Sequence, residues 1–424
     1  MGDMLIKLAK VSPPFVRSST VLVLGSFISS ALGFIYWAAA ARLFSPAEVG
    51  LGAGTISAMT MIANITLCGI NVANVRFMPT AGHRQTAMMR GTSLATALLA
   101  ALGGTVFIVG APIWASNLVD VGVVLIISSA VWGVFTLQDS IMVGLGRAGW
   151  VLLKNGLFGL GKLALLVVAA FVIPVSGWQN VAGPWLLTAA LTVFVAWIAL
   201  EKSLAQPSTS SKPAQVPKPT AFARYALANH AGSILLNLPG LLYPILVLEM
   251  LGAENTAYFY TSWMMVYMLM LIAINVSNAM VAHAAVDEAA LPVLLLQGLR
   301  YAGLLVLTGV IVLAMLGRLI LPWFGPGYQQ GYGLLILLSL GALAYTANSF
   351  YVSFMRIRGS LRSVILPGAI AGCLSLGLTW PLTRALGLTG FGAAFIIGQL
   401  TAALVVWTPM LAGLRRGSRR LLKE

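Results

Sequence analysis

The stretch Leu299-Arg300-Tyr301-Ala302-Gly303-Leu304-Leu305-Val306-Leu307-Thr308-Gly309-Val310-Ile311-Val312-Leu313-Ala314-Met315-Leu316-Gly317-Arg318-Leu319-Ile320-Leu321 sets an uncharged apolar run between two arginines. A bilayer core needs about 20 apolar residues in a helix, at about 1.5 Å of rise each. A membrane β-strand would be about 10 residues long and would alternate in polarity. The run is continuous and rich in Leu, Val, Ala and Gly, so it reads as a transmembrane helix. Working outward, similar runs occupy 21–41, 51–70, 91–113, 119–137, 155–175, 184–200, 226–251, 257–280, 333–355, 364–385 and 391–411. With 299–321 they predict an all-α polytopic membrane protein of about 12 spans.

Composition agrees. Of 424 residues, 59% are hydrophobic and 8% charged, whereas a soluble domain carries roughly 25% charged residues. The basic residues orient the chain. Lys7, Lys10, Arg17, Arg76, Arg84, Arg90, Arg147, Lys154, four between 202 and 224, Arg300, Arg356, Arg358, Arg362 and the five from Arg415 to Lys423 share one face. That is 21 on one face, against Arg42, Arg318 and Arg384 on the other, with Lys162 alone inside a span. The positive-inside rule puts the crowded face and both termini in the cytoplasm. The net charge of +15 is thus a cytoplasmic rim facing anionic lipid, the bilayer being the partner, and not a nucleic-acid surface. Lys7, Lys10 and Arg17 ahead of a run ending in Trp37-Ala38-Ala39-Ala40-Ala41 imitate a cleavable signal. The run 21–41 exceeds the about 7–15 residues of a signal core and predicts a retained first helix.

The segment QPSTSSKPAQVPKPT at 206–220 reads as a flexible cytoplasmic linker. It separates 1–205 from 221–424, each with six spans, and the halves carry a trace of duplication. Ile70-Asn71-Val72-Ala73-Asn74 near the end of the second span recurs as Ile274-Asn275-Val276-Ser277-Asn278 near the end of the eighth. Two six-helix bundles of the same orientation would be related by a pseudo-two-fold along the membrane normal, able to rock about a central cavity.

The polar residues inside spans are few. Ser45-Pro46-Ala47-Glu48 is a capping box at the start of the second span, and structure alone explains it. Gly156-Leu157-Phe158-Gly159-Leu160-Gly161-Lys162 imitates a phosphate-binding loop, but Leu163 stands where Ser or Thr would hold magnesium, and no strand precedes it. No nucleotide, metal or other cofactor is expected, and Cys68 and Cys373 read as small core residues. Lys162 is then an intramembrane cation, costing at least ~2.5 kcal/mol at the bilayer centre. It either serves a site for an anion or snorkels to the interface. Asn229, His230, Ser233 and Asn237 lie at helical spacing on the seventh span, where Pro239 and Pro244 predict an interruption. Asn71, Asn74, Asn275 and Asn278 are either cavity-lining or interhelical hydrogen-bonding residues. No carboxylate falls clearly mid-membrane, with Asp139 placed near an inner end. That argues against a carrier of cationic drugs or one driven by proton binding.

On Leu43-Phe44-Ser45-Pro46-Ala47-Glu48-Val49-Gly50, Gly69 with Arg76-Phe77, Gly144 with Gly146-Arg147-Ala148, Phe324-Gly325-Pro326-Gly327-Tyr328 and Gly387 with Gly390-Phe391-Gly392-Ala393-Ala394, the chain resembles the polysaccharide-lipid flippases. These are the O-antigen and exopolysaccharide translocases of the multidrug/oligosaccharidyl-lipid/polysaccharide exporter superfamily. The resemblance covers nearly the whole chain. It implies two six-helix bundles around a cationic cavity in the bacterial cytoplasmic (inner) membrane. It also implies outward flipping of a polyprenyl-pyrophosphate-linked glycan by alternating access, beside other polysaccharide-assembly membrane proteins. Relatives often carry arginines deep in the amino-terminal bundle, whereas 21–41 here is uncharged. Lys162, Arg76 and Arg17 are therefore the expected cationic residues, with the Asn and His side chains above as further cavity candidates. Membrane potential would favour outward movement of an anion by about 2.3 kcal/mol per charge per 100 mV.

A small-molecule drug or metabolite efflux antiporter of the same superfamily is the alternative. A major-facilitator carrier is disfavoured because 71–90 lacks the Gly-x-x-x-Asp-Arg pattern. A glycan ligase or polymerase would need a large outer loop with catalytic acids or histidines. The outer loops are short and His83, His230 and His283 lie toward the cytoplasm, so no enzyme and no catalytic residue is expected. A non-transporting scaffold is the last reading. If the cavity is cationic, neutralising Lys162 and Arg76 together reduces flipping in reconstituted liposomes while the yield of folded protein stays at the wild-type level.

Overall fold

In the computed structural model, the described residues are 31–172, 177–204, 218–284 and 290–421. Thirteen α-helices occupy them: α1 (Ala31–Leu43), α2 (Pro46–Thr66), α3 (Ile70–Phe77), α4 (Gln85–Trp114), α5 (Gly122–Gly144), α6 (Ala148–Val172), α7 (Gln179–Leu204), α8 (Pro219–Leu251), α9 (Ala253–Ala284), α10 (Leu291–Ile320), α11 (Tyr332–Ile357), α12 (Leu361–Leu386) and α13 (Thr389–Leu421). Eleven stretches are long and apolar enough to cross a membrane, and α1 is the described part of the first expected span. The expected all-α architecture of about twelve spans is what the structure has. Lipid explains it. A helix satisfies its own backbone donors and acceptors, which nothing in hydrocarbon would otherwise do. Arg17 lies outside the described residues, as does most of the expected linker at 206–220, which is described only from 218.

Contacts group the described residues into two compact units. One holds 31–234 and 240–260, the other 235–239 and 261–421. In the first, α4 packs along α5, α6 along α7, and α2 against α4, α5 and α7. In the second, α13 packs against both α11 and α12, and α10 lies along α11. The side chains facing outward from α4 and α10, Leu98, Leu102, Val109, Leu304, Met315 and Leu319 among them, are apolar and exposed, as lipid-facing positions should be.

The Ser45–Glu48 capping box forms as read. Glu48 N–H donates to Ser45 Oγ at 3.3 Å, and Ser45 N–H donates to Glu48 Oε2 at 3.0 Å. Its second oxygen has a further use, accepting from Asn180 Nδ2 at 2.7 Å and so tying the start of α2 to the start of α7.

Two features of the second and seventh spans differ from expectation. Pro239 and Pro244 do not interrupt the seventh, because α8 is helical from Pro219 to Leu251. Each proline removes one backbone bond, but close neighbours hold the path. Gly368 and Gly372 of α12 bring their backbone against Leu235 and Leu236, so a Cβ at Gly368 would lie 2.8 Å from Leu236 N. The break falls instead after α2, where Cys68 (φ 46°) and Gly69 (φ 77°) adopt left-handed backbone before α3 begins. The duplicated motif therefore has two local structures. Ile70–Asn74 starts a new short helix, while Ile274–Asn278 lies inside unbroken α9.

Gly69 is constrained twice, by its positive φ and by Ala226 O, 2.1 Å from where a Cβ would sit. Gly69→Ala should lower stability by about 1–3 kcal/mol, read as a fall in unfolding temperature in detergent. Gly91→Ala, on α4 with nothing within 4 Å of the added carbon, should leave that temperature unchanged or raise it.

Candidate functional site

The only intramembrane cation expected from sequence proves to be one of two on the same helix face. Lys154, Phe158 and Lys162 follow one another at intervals of four along α6, so their side chains stack on one stripe. Both lysines are buried, each 4% exposed. Lys162 lies 14 residues from the start of α6, or about 21 Å along its axis, near mid-helix. Its ammonium is enclosed by rings rather than reaching the interface. Nζ lies 3.5 Å from the ring centroid of Trp185, and 4.9 Å from those of Tyr36 and Phe158. Among the described residues no carboxylate lies in ion-pair range of it. Cation–π contacts are worth about 0.5–2 kcal/mol each, and here they stand in for a counter-ion.

Lys154 solves the same problem differently. Its ammonium lies 2.8 Å from Asp139 Oδ1 on α5, donates to Phe135 O, and sits 3.6 Å from the Phe135 ring centroid. Asn155 Nδ2 adds a 3.3 Å hydrogen bond to the same carboxylate. Sequence had put Lys154 on the cytoplasmic rim and Asp139 near an inner end. The structure buries the lysine and pairs it with the acid between α5 and α6.

The rings around the two lysines are continuous. Trp132 stacks on Phe135 (4.8 Å, 4°), and Phe158 stands edge-on to Trp185 at 5.3 Å. Trp185 meets Tyr36 at 5.4 Å and Trp37 at 6.3 Å, and Trp37 lies 4.4 Å from Tyr260. Tyr36 OH donates to Val181 O, fixing α1 to α7. This aromatic band, drawn from α1, α5, α6, α7 and α9, was not singled out from sequence. The signal available was the Lys-x3-Phe-x3-Lys stripe facing Trp132 and Phe135.

The other candidates scatter. Arg76 is exposed on α3, its guanidinium 4.5 Å from the Tyr225 ring centroid and 5.5 Å from that of Phe77, and it shares no ring with Lys162. Asn74 is fully buried and donates to Thr92 Oγ1 at 3.2 Å, while its Oδ1 accepts from no described residue. Asn71 is half-buried. The Asn229 side chain lies outside the described residues. His230 donates to the carbonyl of Ile65, which lies beside the break after α2 and also accepts from Cys68 Sγ at 3.6 Å. In the second unit, Asn237 is exposed and accepts from Tyr345 OH at 3.2 Å, Asn275 donates back to Leu271 O at 2.8 Å, and Asn278 is exposed. The structure thus brings Lys162 together with rings, and His230 with a helix break, but does not gather the Asn residues into one cluster. A buried amide pair between Asn348 Nδ2 and Gln399 Oε1 (2.9 Å) joins α11 to α13.

No protein-family model matches the chain, and no curated protein matches it. Solved structures do. A multidrug resistance MATE family transporter of the MOP superfamily, in an inward-facing conformation, matches with a TM-score of 0.72 and 13% identity, over 92% of this chain and 96% of that one. An outward-facing transporter of the same description gives 0.65 and 15%, over 95% and 96%. A MOP superfamily transporter from Pyrococcus furiosus, described as having a binding pocket of reversed polarity that suggests a different function, gives 0.65 and 16%, over 95% of each. At such identities the likeness is one of fold: the chain has the helical fold of MATE transporters, a polytopic membrane architecture.

The two lysines predict opposite responses. Lys154→Met strands the Asp139 carboxylate and should cost about 1–3 kcal/mol. Lys162→Met removes a buried charge that no described carboxylate pairs and should leave the unfolding temperature level or higher. Thermal unfolding of both variants in one detergent checks the contrast.

Proposed function

We propose that the chain is a membrane transporter working by alternating access, and that it expels a small organic molecule. The observation that carries this reading is the fold. It matches transporters described as multidrug resistance proteins over nearly the whole of both chains, in inward- and outward-facing forms. A second observation weakens the rival expectation of a cationic cavity. Lys162, near the middle of α6, is enclosed by Trp185, Tyr36 and Phe158. A half-buried acid, Asp139, pairs with buried Lys154, where sequence reading had found no carboxylate suited to an efflux carrier.

Flipping of a polyprenyl-pyrophosphate-linked glycan is the second reading. Exposed Arg76 beside Tyr225 supports it, together with the basic cytoplasmic face that would gather a pyrophosphate. In this reading the chain sits in the bacterial inner membrane with both termini cytoplasmic, as 1–205 and 221–424 halves, among other polysaccharide-assembly membrane proteins.

Proteoliposomes decide between them with two probes, a fluorescent planar organic cation and a fluorescent polyprenyl-pyrophosphate sugar. Protein-dependent movement of the dye, with no exposure of the lipid probe to an impermeant quencher, is expected. Lipid exposure without dye movement would put the flippase first, and Arg76→Ala should then reduce it. Movement of neither probe by folded protein would overturn transport of both cargo classes.

A further inference from the structure

An ammonium carries three N–H donors. Those of Lys162 face aromatic rings and meet no hydrogen-bond acceptor among the described residues. A second donor beside it is in the same position. Trp185 Nε1 is buried and donates to no described residue, although Lys162 Nζ lies only 3.5 Å from the centroid of the same indole. The nearby hydroxyls are committed elsewhere. Tyr36 OH donates to Val181 O, and Thr188 Oγ1, three residues beyond Trp185 on α7, donates to Pro184 O at 2.7 Å. Lys154 on the same stripe shows the contrast, since Asp139 and the Phe135 carbonyl hold its ammonium. Two buried donors at one ring, one of them charged, call for a complement that accepts.

The chemistry of that complement follows from the surroundings. Water accepts, but it brings two protons that need acceptors in turn, and the site offers only ring faces for them. A carboxylate or phosphate carries a body that needs an open side. Lys162 is 4% exposed, Phe158 6% and Tyr36 0%, so the walls admit little more than a single atom. A halide ion is monatomic, only accepts, and cancels the lysine's charge. The rings also suit an ion pair. Aromatic faces are negative and edges positive. The faces take the ammonium, while Tyr36 and Phe158 stand at 76° and 82° to Trp185 and so bring positive edges into the same cluster. All of these residues belong to the first unit. We propose that Lys162 Nζ and Trp185 Nε1 are the ligands of a halide ion held inside that unit, chloride in ordinary salt. The ion is the counter-charge of Lys162, and the site does not depend on which cargo the protein moves.

The test uses the full chain in detergent, in sodium gluconate or sodium chloride at equal ionic strength. In gluconate, K162M should melt at or above the wild type. Replacing gluconate by chloride should raise the wild-type melting temperature along a saturating curve, as binding to the native state alone requires, and should leave K162M where it was. W185F keeps a ring face and removes the N–H. It should raise the half-saturating chloride concentration on the order of tenfold, the factor for one hydrogen bond to a charged group. Iodide, which quenches tryptophan fluorescence on contact, reads the site directly. The wild type should show a saturable quenching component that chloride displaces and K162M lacks. Identical melting in the two salts, or a chloride-dependent rise of equal size in K162M, would overturn the site. So would a half-saturating concentration that W185F leaves unchanged.

Discussion

Hydrocarbon offers no hydrogen bonds, and everything else in this structure follows from how the backbone meets that constraint. Among the described residues, eleven apolar helices of membrane length and the shorter α1 meet it internally. The telling places are those where the ladder stops. After α2 the chain turns through Cys68 and Gly69 in left-handed conformation, and a carbonyl near the break is taken by His230 of α8. Gly69 admits the approach because it lacks a side chain against Ala226 O. At the other end of α2, Ser45 and Glu48 satisfy the first amides, and the spare carboxylate oxygen is used by Asn180. One end of this helix is thus closed by its own capping box, braced by Asn180, and the other by a side chain from elsewhere in the fold.

Charge is the second constraint, and α6 shows two responses to it one above the other. Lys154 keeps a carboxylate, an amide and a backbone carbonyl around it. Lys162, two turns deeper, has only ring faces. The pair arrangement holds two helices at a fixed separation, since loss of either partner strands the other. The ring arrangement demands no fixed partner. A lysine held by three rings from three helices can be retained through small shifts of any one of them.

The spans, the capping box and the intramembrane placement of Lys162 were legible because each depends on local pattern: run length, cap spacing, a charge amid apolar residues. What was not legible depends on neighbours. Pro239 and Pro244 look like an interruption until Gly368 and Gly372 are placed against the same turns. Lys154 looks like a rim residue because it stands near a loop in sequence; only the continuation of α6 back to Ala148 draws it inside. The repeat between Ile70–Asn74 and Ile274–Asn278 is visible in the letters, but its two local structures are set by Cys68-Gly69, to which the second copy has no counterpart. The Asn residues were the least readable, since an amide serves equally as packing bond or cavity wall, and their partners range from Thr92 to a carbonyl one turn away.

The packing of 240–260 with the first unit also bears on how the protein is made. Helix α7 ends at Leu204, yet the unit it belongs to is complete only when Tyr260 has been synthesised. At about 5–20 residues per second, the ribosome leaves the first seven helices waiting roughly 3–11 seconds for their last contacts. During that interval the glycine face of α2 lacks its contacts with Leu248 and Ala253. The first unit is thus inserted as an open assembly, and residues 240–260 arrive as its closing piece.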